Sequence, residues 1–338
     1  MTIEFIKNEE WFTFLDGEGN KVERKTEIRF DPLTGESSRL VFDPGLVPTP
    51  PDYTEAAEQT SGKNCPFCSE NILKMTPLFP KEITDEGRIF YGDAIVFPNL
   101  FPYSKHNGVV VFSGQHYVRL EEFTTSMIKD AFMAAQKYIE KVIETDNKAK
   151  CISINWNYLP YSGGSILHPH LHVIISDSPT NYQANVFEKV NDFKQETGLE
   201  YFSELYRKEK ETAERWIGEK GSVAWLHAFS PKSHNDFIGI FTKSATLLDI
   251  TEQNWTDFAE GLKSIFAALS EQGYASFNMS MALSTNETNS DPIHVRLIPR
   301  LTIGNLGTSD ISYFQALHQE YLSYKAPEKV AKLARRLF

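Results

Sequence analysis

Three histidines recur at alternate positions, His168, His170 and His172, directly after a loop that contains two adjacent glycines. Since alternate residues of a strand share a face, the sequence predicts a strand that presents three imidazoles in a row. The backbone N–H groups of Gly163 and Gly164 can approach a phosphate closely, so the pattern favours chemistry at phosphorus. The alternative is a strand with histidines on its solvated side. Three histidines in register beside a glycine loop argue against it.

His170 is the candidate nucleophile of this group. A neutral imidazole attacks phosphorus without a separate base, and a hydrogen bond from its other nitrogen to a backbone carbonyl can fix the tautomer. Attack on the α-phosphorus of a nucleotide would form a nucleotidyl-histidine. We expect the Gly163 and Gly164 amides and the Ser165 hydroxyl to stabilise charge on the non-bridging oxygens.

Two further polar side chains fit the same chemistry. Asn157 begins the loop and could donate to the same phosphate. His172 lies two residues beyond the nucleophile, where it could either hydrogen-bond the bridging oxygen or protonate the leaving group.

Cys65 and Cys68 form a C-x-x-C pair that can supply two thiolates to a tetrahedral zinc ion. The candidate third and fourth ligands are His116 and His168; such a closed site would be structural and would fix one end of the histidine strand. A thioredoxin-like redox pair is the competing interpretation, although it would stand at the start of a helix after a strand. Coincidental spacing, with His116 an ordinary surface histidine, is the remaining alternative.

Length and composition limit the class of protein. The 338 residues allow one large domain or two ordinary ones, and 34 Lys and Arg against 45 Asp and Glu give a net charge of −11. This charge argues against a general binder of nucleic acids or anionic membranes. The chain shows no basic, apolar leader and no apolar run of the ~18 residues that a membrane span needs. We therefore expect a soluble, cytoplasmic protein that binds a small anionic substrate.

Hydrophobic periodicity predicts the elements that position these residues. A hairpin is expected around the turn at residues 31–36, followed by a proline-rich extended connection over residues 43–52. Apolar runs predict strands at 88–91, 94–97, 108–112 and 151–155, and apolar residues at helical spacing predict an amphipathic helix over residues 124–145.

The same pattern then occurs a second time. Residues 231–235 precede an apolar strand at 237–241, a helix is expected over 251–269, and strands are expected at 275–278 and 293–298. This internal duplication predicts an α+β fold with two similar lobes, at 1–180 and 221–338, joined by a charged helical connection over 181–220. Only the first lobe keeps all three histidines, so we expect the chemistry there.

Together, these segments resemble motifs of the galactose-1-phosphate uridylyltransferase-like family of the histidine-triad superfamily, whose relatives include ADP-glucose phosphorylase and diadenosine-tetraphosphate phosphorylases. The similar segments are residues 29–36 (RFDPLTGE), the cysteine pair, residues 99–102 (NLFP), residues 157–170, and residues 293–301, which lack the first histidine of the family's strand. The resemblance implies two histidine-triad lobes, each an antiparallel sheet with packed helices, a nucleotide or sugar-nucleotide substrate and commonly a homodimer.

The resemblance also implies roles for individual residues. It implies a covalent nucleotidyl intermediate on His170. The remaining positions are zinc ligands (Cys65, Cys68, His116 and His168), phosphate contacts (Asn157, Gly163, Gly164 and Ser165), and nucleotide contacts (Asn99, Phe101 and Arg296).

Three positions depart from the family pattern. His172 replaces the glutamine of the transferases and phosphorylases, as in the hydrolytic branch of the superfamily, and a histidine can protonate a leaving group where a glutamine cannot. Residues 43–48 (DPGLVP) replace an arginine-rich segment, and Leu159 replaces a glycine of the loop.

Three hypotheses follow from these observations. The first is a nucleotidyltransferase that passes a nucleoside monophosphate through His170 to a sugar phosphate or inorganic phosphate. The second is a hydrolase that uses the same step and releases the nucleotide to water with the help of His172. The third is a nucleotide-binding protein without turnover.

Overall fold

The computed structural model describes residues 3–42, 48, 50–284, 291, 293–304 and 307–338, so most of the predicted proline-rich connection lies outside the described residues. The strands are β1 (Lys7–Leu15), β2 (Lys21–Phe30), β3 (Ser37–Val41), β4 (Ile89–Tyr91), β5 (Ala94–Pro98), β6 (His106–Val111), β7 (Cys151–Tyr158), β8 (His170–Ser176), β9 (Trp216–Lys220), β10 (Val223–His227), β11 (Phe237–Phe241), β12 (Ser276–Leu283), β13 (His294–Arg300), β14 (Thr302–Ile303), β15 (Thr308–Ser309) and β16 (Tyr321–Ser323). The helices are α1 (Thr54–Thr60), α2 (Ile72–Met75), α3 (Thr125–Thr145), α4 (Asn181–Thr197), α5 (Tyr201–Thr212), α6 (Glu252–Glu271), α7 (Tyr313–Ala316) and α8 (Pro327–Arg335).

One ten-stranded sheet forms the centre of the fold, in the order β4-β5-β6-β8-β7-β12-β13-β11-β10-β9. Its two halves have the same strand arrangement read outward from the middle, which confirms the predicted α+β duplication. The halves join where β7 pairs antiparallel with β12, for example Asn157 with Asn278. The two predicted lobes therefore share a continuous sheet.

Two long amphipathic helices cover one face of this sheet. The Thr124 side chain caps α3 by accepting from the Met127 amide, and Thr251 caps α6 by accepting from the Asn254 amide. Their apolar stripes, which include Phe132 on α3 and Phe258 on α6, pack against each other and against the sheet in the main core. Both helices were predicted from periodicity.

Within the described part of the chain, the cover of the opposite face of the sheet lies at its two sides. A small core around the cysteine pair covers the first half, and α4 and α5 cover the second half. Between these covers, β7 and β12 carry a run of polar side chains that we call the central polar strip. Its members are Asn155, Asn157, Asn278 and Ser280, all exposed or half-buried.

The predicted helical connection over residues 181–220 differs from the structure at its end. Helices α4 and α5 occupy residues 181–212, but residues 216–220 form β9, the edge strand of the second half. The Glu- and Lys-rich composition concealed this short strand, which pairs antiparallel with β10. Among the described residues, no helix has the length and apolar character needed to cross a bilayer.

A second, four-stranded sheet ties the two ends of the chain together. It has the order β1-β2-β3-β16, in which β2 and β3 form the predicted hairpin and the late strand β16 pairs parallel with β3. Arg29 of this hairpin is buried and forms ion pairs with Glu27 and with Glu328 of α8, at 3.1 and 2.7 Å. Arg29 thus links the N-terminal hairpin to the C-terminal helix. Removal of one partner of this pair would destabilise the fold, because it would leave an uncompensated buried charge.

This ion pair predicts how stability depends on pH. Burial alone would raise the pKa of Glu328, but the hydrogen bonds and charge of Arg29, together with Arg215, outweigh it and lower the pKa from 4.5 to about 2. A lowered pKa in the folded state stabilises the protein above pH 4.5, and this contribution is lost as the pH falls towards 2. We expect the free energy of unfolding of Glu328→Gln to be lower than that of the wild type at pH 7. Between pH 4.5 and 2 it should fall less than that of the wild type. The measurement is urea unfolding at a series of pH values. Exposed Glu121→Gln is the control, and parallel pH curves for Glu328→Gln and the wild type would contradict the prediction.

Candidate active site and metal centre

The four predicted metal ligands converge in the structure. The ligand atoms of Cys65, Cys68, His116 and His168 all lie within 4.8 Å of one another. His168 Nδ1 lies 3.7 Å from Cys65 Sγ and 3.8 Å from Cys68 Sγ, and His116 Nδ1 lies 3.5 Å from Cys68 Sγ. Tetrahedral ligands at ordinary metal–sulfur and metal–nitrogen lengths would be about 3.6 Å apart. The donor set therefore fits a tetrahedral metal site.

The outer nitrogens of both histidines are also engaged as a metal site requires. His168 Nε2 donates to the Ser113 carbonyl at 2.7 Å, which leaves Nδ1 free to face the thiols. His116 Nε2 lies 3.0 Å from the Thr60 hydroxyl. Such bonds fix the ring orientation and tautomer of metal-ligating histidines.

The redox interpretation of the cysteine pair finds no support in its surroundings. A short 3₁₀ turn (Gly62–Asn64) precedes Cys65, where a thioredoxin-like pair would follow a strand and begin a helix. Both thiols are free and buried, and two histidines lie against them.

The histidine strand begins later than the sequence suggested. Strand β8 starts at His170, so His170 and His172 belong to it, whereas His168 lies in the bend before it. The prediction of three histidines in one strand was wrong for His168, because Pro169 has no N–H to donate to a ladder and the strand starts after it. This bend lets His168 turn towards the cysteines.

His170 has the tautomer that a nucleophile needs. Its Nδ1 lies 2.7 Å from the His168 carbonyl; since a carbonyl only accepts, Nδ1 carries the proton and Nε2 carries the free lone pair. The ring packs edge-to-face against Phe67, with centroids 5.3 Å apart, and is 7 % exposed. Burial lowers the pKa of His170, which keeps the ring neutral. Nε2 has no hydrogen bond to the described residues.

His172 lies on the same face of β8 as His170, with ring centroids 5.2 Å apart. Burial, and to a smaller extent the neighbouring His170, lower the pKa of His172 to about 4. Its Nδ1 is buried and has no partner among the described residues. His172 is thus neutral near pH 7, and it is opposite Asn155 of β7 in the sheet register.

The glycine loop (residues 159–165) is held by its own backbone. The Gly163 amide donates to the Pro160 carbonyl, and the Gly164 amide donates to the Leu159 carbonyl. We had expected both amides to be free to bind a phosphate, but neither is free in this conformation. Gly163 has φ +86°, and a Cβ on Gly164 would come within 2.9 Å of the Asn157 carbonyl. Both positions therefore need glycine. Ser165 is exposed, and its hydroxyl has no hydrogen bond within the described part of the chain.

Leu159 adopts a backbone conformation that suits the glycine it replaces. Its φ is +69°, a value that favours glycine and costs a leucine about 1–3 kcal/mol. Its side chain is 3 % exposed in the main core, and burial of a leucine stabilises by a similar amount. The loop thus keeps the conformation typical of glycine at this position.

Residues 99–103, which include the predicted nucleotide contacts Asn99 and Phe101, lie next to His172, and we call them the base-binding segment. Asn99 donates to the Asn107 side chain at 3.0 Å, and its own oxygen accepts from the Phe101 amide. Phe101 is 76 % exposed, and the Tyr103 ring lies 5.9 Å from His172. The segment therefore presents exposed rings beside the histidine strand.

Arg296 does not join this group of side chains. It belongs to β13, three strands from β8, which corresponds to about 14 Å. Its guanidinium is paired with Asp236 at 2.8 Å. Arg296 therefore lies apart from His170, and its contact with the nucleotide stays a prediction.

Several polar residues of the site were missed from the sequence. Asn107 holds the base-binding segment to β8 by donating to the Val173 carbonyl. Asn155 and Asn278 belong to the central polar strip. The alternation of Asn155 and Asn157 along β7 was a usable signal, because alternate residues share a face. A strand was predicted at residues 275–278, but its pairing with β7 could not be inferred from sequence spacing.

Comparison with known proteins assigns the chain to a family. It is 32% identical to an uncharacterized protein of Archaeoglobus fulgidus over 338 residues, 99% of each chain. No protein-family profile matches. The chain belongs to one family with this archaeal protein.

Solved structures identify the fold. A galactose-1-phosphate uridylyltransferase (GalT)-like protein of Arabidopsis thaliana is similar at 18% identity with a TM-score of 0.71, over 91% of this chain and 98% of that one. An ADP-glucose phosphorylase of Arabidopsis thaliana is similar at 18% identity and a TM-score of 0.70, over 92% and 98%. A uridylyltransferase is similar at 19% identity and a TM-score of 0.67, over 92% and 98%. This chain has the same fold as the GalT-like protein, the ADP-glucose phosphorylase and the uridylyltransferase.

Proposed function

We propose that the protein is a nucleotidyltransferase that moves a nucleoside monophosphate from a sugar-nucleotide or dinucleotide, through a covalent nucleotidyl-His170, to a phosphate-bearing acceptor. The observation that carries this proposal is the bond from His170 Nδ1–H to the His168 carbonyl, which leaves Nε2 as a neutral nucleophile. Similarity of fold to a uridylyltransferase and an ADP-glucose phosphorylase supports the same class of reaction.

The proposed step balances without an external base. The Nε2 lone pair forms a P–N bond to the α-phosphorus, and the P–O bond to the leaving phosphate breaks, with its electron pair going to the leaving oxygen. Ser165 and Asn157 would donate to the non-bridging oxygens. The acceptor phosphate then attacks the same phosphorus and restores neutral His170.

The four converging ligands are proposed to hold zinc, because two thiolates and two imidazoles in tetrahedral arrangement are a typical structural zinc set. Bound zinc would stabilise the fold around the site, since all four positions are taken by protein ligands. The nucleotide's base is proposed to lie at Asn99 and Phe101. A homodimer and a cytoplasmic location remain predictions.

The zinc proposal predicts about one zinc ion per purified chain by elemental mass spectrometry. We expect Cys65→Ser to lose most of the metal and to melt at a lower temperature, because metal binding contributes to the folding free energy. Cys151→Ser is the matched control, since Cys151 is a free cysteine outside the cluster, and it should keep the full metal content. Equal zinc content in both variants would refute the assignment.

The nucleophile proposal predicts a trapped adduct. Incubation with UDP-glucose, ADP-glucose or diadenosine tetraphosphate should add the mass of one nucleoside monophosphate to a peptide that contains His170. A P–N bond is labile in acid, so the adduct should disappear on acid treatment. His170→Ala should abolish the adduct, whereas substitution of the exposed His318 by alanine should leave it unchanged. If no adduct forms while nucleotide still binds, the protein is a nucleotide-binding protein without turnover.

A hydrolase is the second candidate, favoured by the position of His172 beside the nucleophile. His172→Gln should slow release of the nucleotide to water by about tenfold or more and should spare transfer to inorganic phosphate or a hexose 1-phosphate, because a glutamine cannot accept a proton from water. The measurement is decay of the isolated adduct with and without acceptor. His106→Gln is the matched control on the neighbouring strand, where His106 contacts Asp146. Equal slowing of both reactions would rule out this role.

A further inference from the structure

We infer that Asn278 and Arg300, from the second half of the sheet, orient the Asn157 side chain so that its NH₂ group faces the phosphate, and hold the glycine loop in place. This inference rests on the proposed function and adds two positioning residues to it.

The orientation of the amides follows from their partners. Arg300 Nη1 lies 3.0 Å from Asn278 Oδ1, and a guanidinium only donates. Asn278 Oδ1 is therefore the acceptor, and its Nδ2 must be the donor. That Nδ2 lies 2.7 Å from Asn157 Oδ1, so the oxygen of Asn157 is occupied. Asn157 Nδ2 has no hydrogen bond within the described residues, so it is the end of the side chain that is left for a ligand.

The same amide also anchors the glycine loop. Asn278 Nδ2 donates to the Ser162 carbonyl at 2.9 Å, and a carbonyl can only accept, which independently gives the same orientation. Ser162 immediately precedes Gly163. One side chain of the second half therefore sets the positions of both Asn157 and the loop.

Arg300 is itself fixed from behind. Its guanidinium forms a two-point pair with Asp310, with Nη2 to Oδ1 at 2.7 Å and Nε to Oδ2 at 2.9 Å. Asp310 is buried and also accepts from the Leu301 amide. A bidentate pair of this kind leaves the guanidinium little freedom. The relay therefore runs from Asp310 through Arg300 and Asn278 to Asn157.

Through this relay, the second half of the fold takes part in the reaction, although that half lacks the row of histidines. The Gly163 and Gly164 amides are engaged within the loop, so Asn157 and Ser165 supply the donors that remain. An amide presented with its oxygen outward would repel a phosphate, and this relay prevents that orientation.

The test is Asn278→Asp. A carboxylate of the same shape still accepts from Arg300, but it cannot donate to Asn157 or to the Ser162 carbonyl. Asn157 then turns to donate to residue 278 and presents its oxygen to the phosphate. We expect the rate of adduct formation at saturating ADP-glucose or UDP-glucose to fall ~100-fold, as for the loss of one transition-state donor, with donor affinity changed much less.

Ser280→Asp is the matched control. Ser280 is exposed, lies two residues further on the same face of β12, and contacts Asn155 rather than Asn157. It adds the same charge to the strip without touching the relay, so its adduct rate should stay within about threefold of the wild type. Equal losses in the two variants would show an effect of charge alone and would overturn the inference.

A second measurement separates this inference from the proposed function. Hydrogen exchange at the amides of residues 163–165 should be at least about tenfold faster in Asn278→Asp than in the wild type, because the Ser162 anchor is lost. It should be unchanged in Ser280→Asp. If the wild type forms no adduct, the proposed function fails, and loop exchange still decides whether Asn278 positions the loop. Unchanged exchange in Asn278→Asp would overturn the positioning role whether or not an adduct forms.

Discussion

The site depends on a single residue, His168, whose two ring nitrogens and backbone carbonyl each contact a different part of the site. Its Nδ1 faces the two thiols, its Nε2 donates to the Ser113 carbonyl, and its own carbonyl accepts from His170 Nδ1. The Cys/His cluster and the His170 ring are thus connected through one backbone unit. Because Pro169 lies between the two histidines and restricts the backbone, a shift at the cluster would change the direction of the His170 ring. This connection gives the proposed metal site a physical role in orienting the proposed nucleophile.

The continuous sheet provides the second constraint. Strands β7 and β12 meet in the middle of the ten-stranded sheet, where the described residues of the cysteine segment and of α4 and α5 leave the central polar strip uncovered. A substrate can therefore approach from this side while α3 and α6 keep the opposite face dry. Duplication gave the fold a matching strand at this position, and that strand can supply polar side chains to the first half without histidines of its own.

Features that depend on short spacing could be predicted from the sequence. The cysteine pair, the alternate histidines and the two long helices follow from periods of two to four residues, and they lie where expected apart from His168. Features that depend on contacts between residues far apart in the sequence could not be predicted. The contact between Asn157 and Asn278 joins residues 121 positions apart, and its register is set by packing of the whole sheet. Arg296 lies in a segment that resembles a family motif, but its guanidinium forms an ion pair with Asp236, sixty positions away in the sequence, which the sequence did not predict.

The state of His172 narrows the kind of leaving group that suits the site. With its pKa lowered to about 4 by burial and by His170, the ring is neutral at pH 7 and can donate a hydrogen bond but holds no surplus proton. A phosphate leaving group is already a stable anion and needs only such a hydrogen bond, whereas an alcohol or amine would need a full proton. Donors that release a sugar phosphate or a nucleotide fit this environment better than simple esters or amidates. Under the proposed function, the burial of His172 thus favours exchange between phosphate-bearing partners, because attack on a nucleotidyl-His170 by a phosphate also starts from an anion that needs no base.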